Sequence, residues 1–364
     1  MGFGISIYPE HASYEQNAAY IAEAGKRGFT RVFSCLLSVE DDREVIAREF
    51  RELHDRIHEA GMEVVLDVSP AVFSKLGIGY DDLSFFADVR ADGIRLDEPF
   101  TGAQVAEMTR NPQGLKIELN ASSADGTIAA TLACAPDRAH LLACHNFYPQ
   151  RYSGLDTGFF LEQSAPVHEA GVRLAAFVGC TSHDAFGPWP LREGLPTLED
   201  HRDLPLDLAA RRLAATGLID DVIISNCFAT PAELDALAAV DAQRVEFRTA
   251  PEGDPSEVEL EILYTFPHQV RGDRSGYLAR STMSRVKYHD AEIAPRNTRD
   301  LHRGDVVVVN GNDARYKGEL QIILRDIPND GTRNAVATLA EEEQPLMGYL
   351  GSWTHFGFLE PLAA

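Results

Sequence analysis

Along residues 1–240, short runs rich in Val, Ile, Leu and Ala alternate with amphipathic stretches. The runs predict eight strands: Phe3–Tyr8, Arg31–Leu36, Glu63–Ser69, Gly93–Asp97, Leu115–Ala121, His140–Phe147, Arg173–Gly179 and Asp221–Asn226. The stretches between them predict helices. Asp41–Ala60 places Val45, Ile46, Phe50, Leu53 and Ile57 at helical spacing and stops at Gly61, and Asp203–Thr216 likewise stops at Gly217. Strand–helix alternation repeated eight times predicts an α/β fold, a (β/α)8 TIM barrel. A doubly wound open sheet is the runner-up, but no GxGxxG turn follows the first strand.

The pattern changes at Asp241. Val258–Phe266, Val306–Asn310 and Leu320–Leu324 read as strands, with turns at Gly272, Gly304, Gly311, Gly318 and Gly331. Residues 241–364 are therefore expected to form a small, mostly β domain, closed or nearly so. Within the barrel half the longest irregular stretch, Cys180–Arg202, follows the seventh strand, and long loops in compact domains usually bind or cover a ligand.

Barrel enzymes carry their chemistry at the C-terminal ends of the strands, and alternation along each strand predicts which residues point inward there. On the fourth strand Ile94 and Leu96 face the helices, leaving Arg95 and Asp97 inside; on the fifth, Lys116, Glu118 and Asn120 point in; on the third, Asp67 and Ser69. The first strand contributes Ser6 and Tyr8, with Glu10 and His11 just beyond. On the sixth, Asn146 and Tyr148 share one face and His145 takes the other. Such a cluster has two readings: an ion-pair network in which Arg95 neutralises Asp67 or Glu118, or a like-charge group that tunes one carboxyl into a general acid.

Composition narrows the class. Lys+Arg 33 against Asp+Glu 56 gives a net charge of −23, which argues against nucleic acid or an anionic membrane as partner. No apolar run approaches the ~20 residues of a membrane span, and the N-terminus runs straight into an apolar strand without a basic leader. Five scattered cysteines without a CxxC pair read as reduced thiols, so a cytoplasmic location is expected, with no metal and no cofactor.

Several segments together resemble one family. Tyr8-Pro9-Glu10-His11, Arg95-Leu96-Asp97, Ile117 to Ser122, Cys144-His145-Asn146-Phe147-Tyr148-Pro149, Gly187-Pro188-Trp189 and Ala215 to Ile224 are similar to the MupG-type 6-phospho-N-acetylmuramidases. In the second domain the likeness continues through Arg280-Ser281-Thr282 and Arg315 to Ile322. The resemblance implies a TIM barrel followed by a cyclophilin-like β-domain. It also implies hydrolysis of the β-1,4 bond between N-acetylmuramic acid 6-phosphate and N-acetylglucosamine, a step of cell-wall recycling, with a phosphorylated sugar as the small-molecule partner. A homodimer is left open.

A glycosidase needs two carboxyl groups across the scissile bond. Asp97, Glu118 and Glu10 are the candidates; which is acid and which base or nucleophile stays open, as does a substrate-assisted course through the acetamide. Tyr8, His11, Asp67, Arg95, Asn120, His145, Asn146, Tyr148, His183 and Asn226 are expected to hold the sugar. Loops after the seventh and eighth strands, Gly179–His183 and Ser225–Asn226, offer phosphate donors; the second domain offers Arg274, Arg280, Ser281, Thr282, Arg315 and Lys317, of which Arg280, Ser281, Thr282 and Lys317 are expected to read the 6-phosphate. Two other classes stand beside this one: a phosphosugar isomerase or aldolase with Lys116 as Schiff base, and a carbohydrate-binding protein without turnover.

Overall fold

A computed structural model describes the chain apart from residues 37–42, 69–72, 74–77, 97–99, 191 and 362–364. It divides into two compact units, Met1–Val240 and Asp241–Ala364.

The first unit is a closed barrel of eight parallel strands in sequential order: β1 (Gly2–Ile7), β2 (Arg31–Leu36), β3 (Glu63–Val68), β4 (Gly93–Leu96), β5 (Lys116–Asn120), β6 (Leu141–Cys144), β7 (Arg173–Val178) and β8 (Asp221–Ile224). Three of the helices of this unit start at a reciprocal cap. Ser13 with Gln16, Thr101 with Gln104 and Thr230 with Glu233 each form a reciprocal capping box, so two otherwise unpaired N–H groups are satisfied at each start. The helix Arg43–Glu59 buries Phe50, Leu53 and Ile57 against the barrel. Gly61, at φ +79°, reverses the chain after it in the left-handed region that favours glycine. Val45 and Ile46, also expected on that face, have side chains outside the described set.

Register fixes the inward face. Cys35 pairs with Asp67, Asp67 with Arg95, Arg95 with Glu118 and Glu118 with Leu142. The N-terminal end of the barrel is closed by a chain of charges: Lys116 to Glu63, Glu63 to Arg173, Arg173 to Asp221, Asp221 to Arg31 and Arg31 to Glu118. Three cations meet three carboxylates, so this base is neutral. Gly4 lies beside it, where a Cβ would stand 2.9 Å from the Arg31 carbonyl oxygen. Above the base Phe33, Phe147 and Phe177 pack edge to face, with centroids 5.0–5.9 Å apart.

The second unit is a seven-stranded sheet built from β9 (Val245–Pro251), β10 (His268–Gln269), β11 (Leu278–Ser281), β12 (Asp305–Val309), β13 (Leu320–Ile323), β14 (Arg333–Leu339) and β15 (His355–Leu359), in the order β10-β15-β9-β14-β12-β13-β11. The two ends of that order approach each other: the Arg271 N–H donates to the Arg280 carbonyl at 2.9 Å, and His268 Nδ1 lies 2.8 Å from Ser281 Oγ. One expectation is overturned here. Val258–Phe266 is not a strand but the helix Glu257–Tyr264. Its apolar residues also fit an alternating pattern, but Ser256 and Glu259 form a capping box, and Ile262 and Leu263 then fall on one buried face.

Candidate active site

The C-terminal ends of β2, β3, β4 and β6 converge on a polar cluster. The Arg95 guanidinium donates to Asp67 Oδ1 at 3.0 Å and to Asn146 Oδ1, and the Cys35 thiol lies 3.8 Å from Asp67 Oδ2. Burial and the neighbouring Asp67 carboxylate push the Cys35 thiol well above its usual range, so it stays protonated as a weak donor. The cluster opens into a cavity of about 160 Å³ whose other walls are Phe147, Phe177, Pro188 and Trp189. Trp189 is 45% exposed and its ring centroid lies 5.8 Å from that of Phe147. An ionic cluster facing aromatic rings offers hydrogen-bonding groups on one side and an apolar surface on the other, the two kinds of contact that a sugar ring can make.

Asp67, Arg95 and Asn146 are thus brought together as expected of inward-facing residues. His11 is not among the residues lining the cavity; its Nε2 lies 3.1 Å from the Pro188 carbonyl, which ties the turn after β1 to the Pro188-Trp189 segment. Tyr8 is buried, and its hydroxyl donates to the Ser225 carbonyl rather than opening into the cavity. Asn120 turns on its own chain, accepting from Ser122 N–H at 2.8 Å. Tyr148 is held through its backbone, by its N–H to Pro196 and by Arg202 to its carbonyl. Asn226 clamps β8 to β7, accepting from the Cys180 N–H at 2.7 Å and donating to the Cys180 carbonyl at 3.0 Å. With His183, almost fully exposed, it lines a separate polar cavity of about 270 Å³ beside the loop after β7. Glu10 is exposed on the short turn Pro9–His11. Asp97 lies outside the described residues.

Two expectations change. His145 is fully buried on the helix side of β6, between Ser122 Oγ at 3.2 Å and Ser164 Oγ at 2.9 Å and against Phe160, so it does not face a ligand. Burial, with Arg95 nearby, pulls its pKa down to about 3. Glu118 pairs with Arg31 rather than Arg95, and both are buried at the base of the barrel rather than at its mouth. The reason is register: Arg95 is already engaged by Asp67 and Asn146 above, while Arg31, at the first position of β2, has no solvent to meet its charge. Lys116, the Schiff-base candidate, is ion-paired to Glu63 at the same base.

In the second unit the four expected phosphate ligands do not form one group. Arg280 is paired with Asp273, and the Ser281 hydroxyl is buried against His268. The Thr282 hydroxyl is buried without a hydrogen-bond partner. Lys317 instead borders an open pocket with Arg285, His289 and Arg315. Sequence reading passed over Phe177 and Trp189 as site residues. Phe177 has the inward parity on β7 that would have found it, and Trp189 stands in the long loop after that strand. Among the described residues, no three His, Cys, Asp or Glu side chains are placed to hold a metal ion.

Residues 3–239 match the N-terminal family model of 6-phospho-N-acetylmuramidase, and residues 245–359 match the C-terminal one. The chain belongs to the 6-phospho-N-acetylmuramidase family. It is a glycosidase, and the family supports a phosphosugar as its substrate class. Among solved structures it is similar to an uncharacterized B. cereus protein, at 44% identity and a TM-score of 0.91 over 99% of each chain. A conserved Enterococcus faecalis protein of unknown function shares the fold, with 24% identity and a TM-score of 0.72 over 100% of this chain and 97% of that one. No curated protein matches the chain. Among the described residues no helix is long and apolar enough to cross a membrane.

Proposed function

We propose that the enzyme hydrolyses the β-1,4 bond between N-acetylmuramic acid 6-phosphate and N-acetylglucosamine, as a cytoplasmic step of cell-wall recycling. The observation that carries this reading is the Asp67–Arg95–Asn146 cluster opening onto Phe147, Phe177 and Trp189, in a chain whose two halves both match the family. The cluster offers a carboxylate acceptor, a cation and an amide within reach of one sugar ring.

Hydrolysis needs a carboxylic acid to protonate the leaving oxygen and a second carboxyl group to act as base or nucleophile. Separations of about 5–5.5 Å give retention and about 6.5–9.5 Å inversion. With Glu118 engaged by Arg31, Asp97 and Glu10 are the carboxyl groups proposed to flank the bond. Asp67, ion-paired to Arg95, is assigned the orienting role, accepting from a hydroxyl or from the acetamide N–H. Trp189 and Phe147 are assigned the apolar face of the sugar.

The test is hydrolysis of a chromogenic β-N-acetylmuramide 6-phosphate beside its unphosphorylated twin, by the wild type and by Asp97→Asn. Cleavage confined to the phosphorylated sugar and lost in the variant supports the reading. Turnover retained by Asp97→Asn removes Asp97 from the chemistry, and no cleavage of either compound overturns the substrate assignment.

A further inference from the structure

We propose that the second unit carries a phosphomonoester-binding site of its own, formed by Arg285, Arg315 and Lys317. Two segments make it. One is the short helix Met283–Lys287 after β11; the other is the turn 311–318 between β12 and β13. Gly318 lets them meet: it sits at φ +84°, and a Cβ there would lie 3.3 Å from the Arg285 Cα. The turn is folded on Asp313, whose carboxylate accepts from the Arg315 and Tyr316 N–H groups at 3.1 and 3.3 Å while its carbonyl accepts from the Lys317 N–H at 2.9 Å. Asp313 is thus hydrogen-bonded to backbone, and Arg315 and Lys317 border one pocket with Arg285. Both guanidinium groups lie near the Tyr316 ring, Arg285 5.0 Å and Arg315 5.7 Å from its centroid. The pocket they border, with Val286, His289 and Ala314, has a volume of about 440 Å³.

The charge count identifies the ligand. Three cations line the pocket, and among the described residues the carboxylate ion-paired to one of them is the buried Glu319, 3.7 Å from Arg285. His289 is paired with Asp290 at 2.9 Å. The Asp290 and Asp313 carboxylates are engaged by His289 and by backbone N–H groups, so two of the three cations are left without an ion pair among the described residues, on a chain whose net charge is −23. Neither Arg315 nor Lys317 forms an ion pair among the described residues. A phosphomonoester carries close to two negative charges at pH 7 and three acceptor oxygens, which two guanidinium forks and one ammonium satisfy. A neutral sugar or a metal ion would not match those charges.

Such a phosphate could be that of the proposed substrate or of a separate sugar phosphate, and the experiment distinguishes these. Glucose 6-phosphate, glucose and inorganic phosphate are titrated into the full chain by calorimetry, for wild type, Lys317→Ala and Arg315→Gln/Lys317→Gln. Lys317→Arg serves as the rescue, and thermal melts confirm that each variant is folded. Both phosphates should bind and glucose should not. The double variant should weaken phosphate binding about tenfold or more, because a hydrogen bond to a charged group is lost at each position. A KM for the phosphorylated muramide that rises in parallel identifies the substrate as the source. An unchanged KM with phosphate binding lost identifies a second ligand. Phosphate binding that is absent in the wild type, or unaltered in the folded double variant, overturns the proposal. Because the calorimetry needs no turnover, failure of the muramidase reading leaves this test intact.

Discussion

Replacing Glu118 by Gln leaves Arg31 as a buried cation with one carboxylate fewer. Arg31 is fully buried; burial works against its charge, and the Glu118 and Asp221 carboxylates more than offset that, holding the guanidinium above its usual range. In Glu118→Gln only Asp221 remains, 3.4 Å away and shared with Arg173. Breaking a buried pair from one side costs about 3–5 kcal/mol, and the surviving Asp221 contact puts this case near the low end, about 3 kcal/mol. For a unit of 240 residues each kcal/mol moves the melting temperature by about 2–4 °C, so the first unit should melt about 6–12 °C lower. Calorimetric melting of the full chain measures it, and kcat at a temperature where both proteins are folded should fall less than tenfold. The double variant Arg31→Met/Glu118→Met, which removes both charges, should recover most of the lost stability. A Glu118→Gln protein that melts within about 2 °C of wild type but has lost three orders of magnitude in kcat would refute this assignment and return Glu118 to the chemistry.

Three further outcomes are expected. Asp67→Asn removes the carboxylate that meets both Arg95 and Cys35; kcat/KM should fall by about 100-fold, the worth of one charge-assisted hydrogen bond at about 1.5–3 kcal/mol, and unchanged kinetics would remove the cluster from the site. Trp189→Ala should raise KM about tenfold with kcat nearly unchanged, because a stacking wall binds ground and transition states alike; a loss confined to kcat would contradict that role. His54, His145 and His201 in the barrel unit are held neutral by burial, with pKa values pulled down to about 4, 3 and 3. Since each titrates near 6.5 when unfolded, the stability they contribute is complete above that pH and is lost as pH falls toward 4, by about 2–3 kcal/mol per histidine at pH 4.5; denaturant midpoints that do not move between pH 7 and 4.5 would contradict it.

The barrel was legible because its information is local. Each strand is a short apolar run, helices such as Arg43–Glu59 have an amphipathic face, several start at a cap such as Ser13 with Gln16, and none of these needs a distant residue to be recognised. The inward face of β3, β4 and β5 was legible for the same reason, since alternation has a period of two. The segment 258–266 was misread where two periods fit the same apolar residues, and only its packing as a helix separates them.

What the sequence could not supply was depth and partner. Alternation says that Asp67 and Glu118 both point inward, but not that one sits at the mouth with Arg95 and the other at the base with Arg31. Strand tilt and register decide that, through contacts between residues 28 and 87 positions apart. The same holds for Lys317 and Arg315, whose companion is Arg285 rather than Arg280 and Ser281. A sequence thus determines which elements form and which way each side chain faces, because those depend on neighbours a few residues away. Which charge meets which is decided by the tertiary structure, because burial makes each unpaired ion costly and only the closed fold determines which partner is within reach.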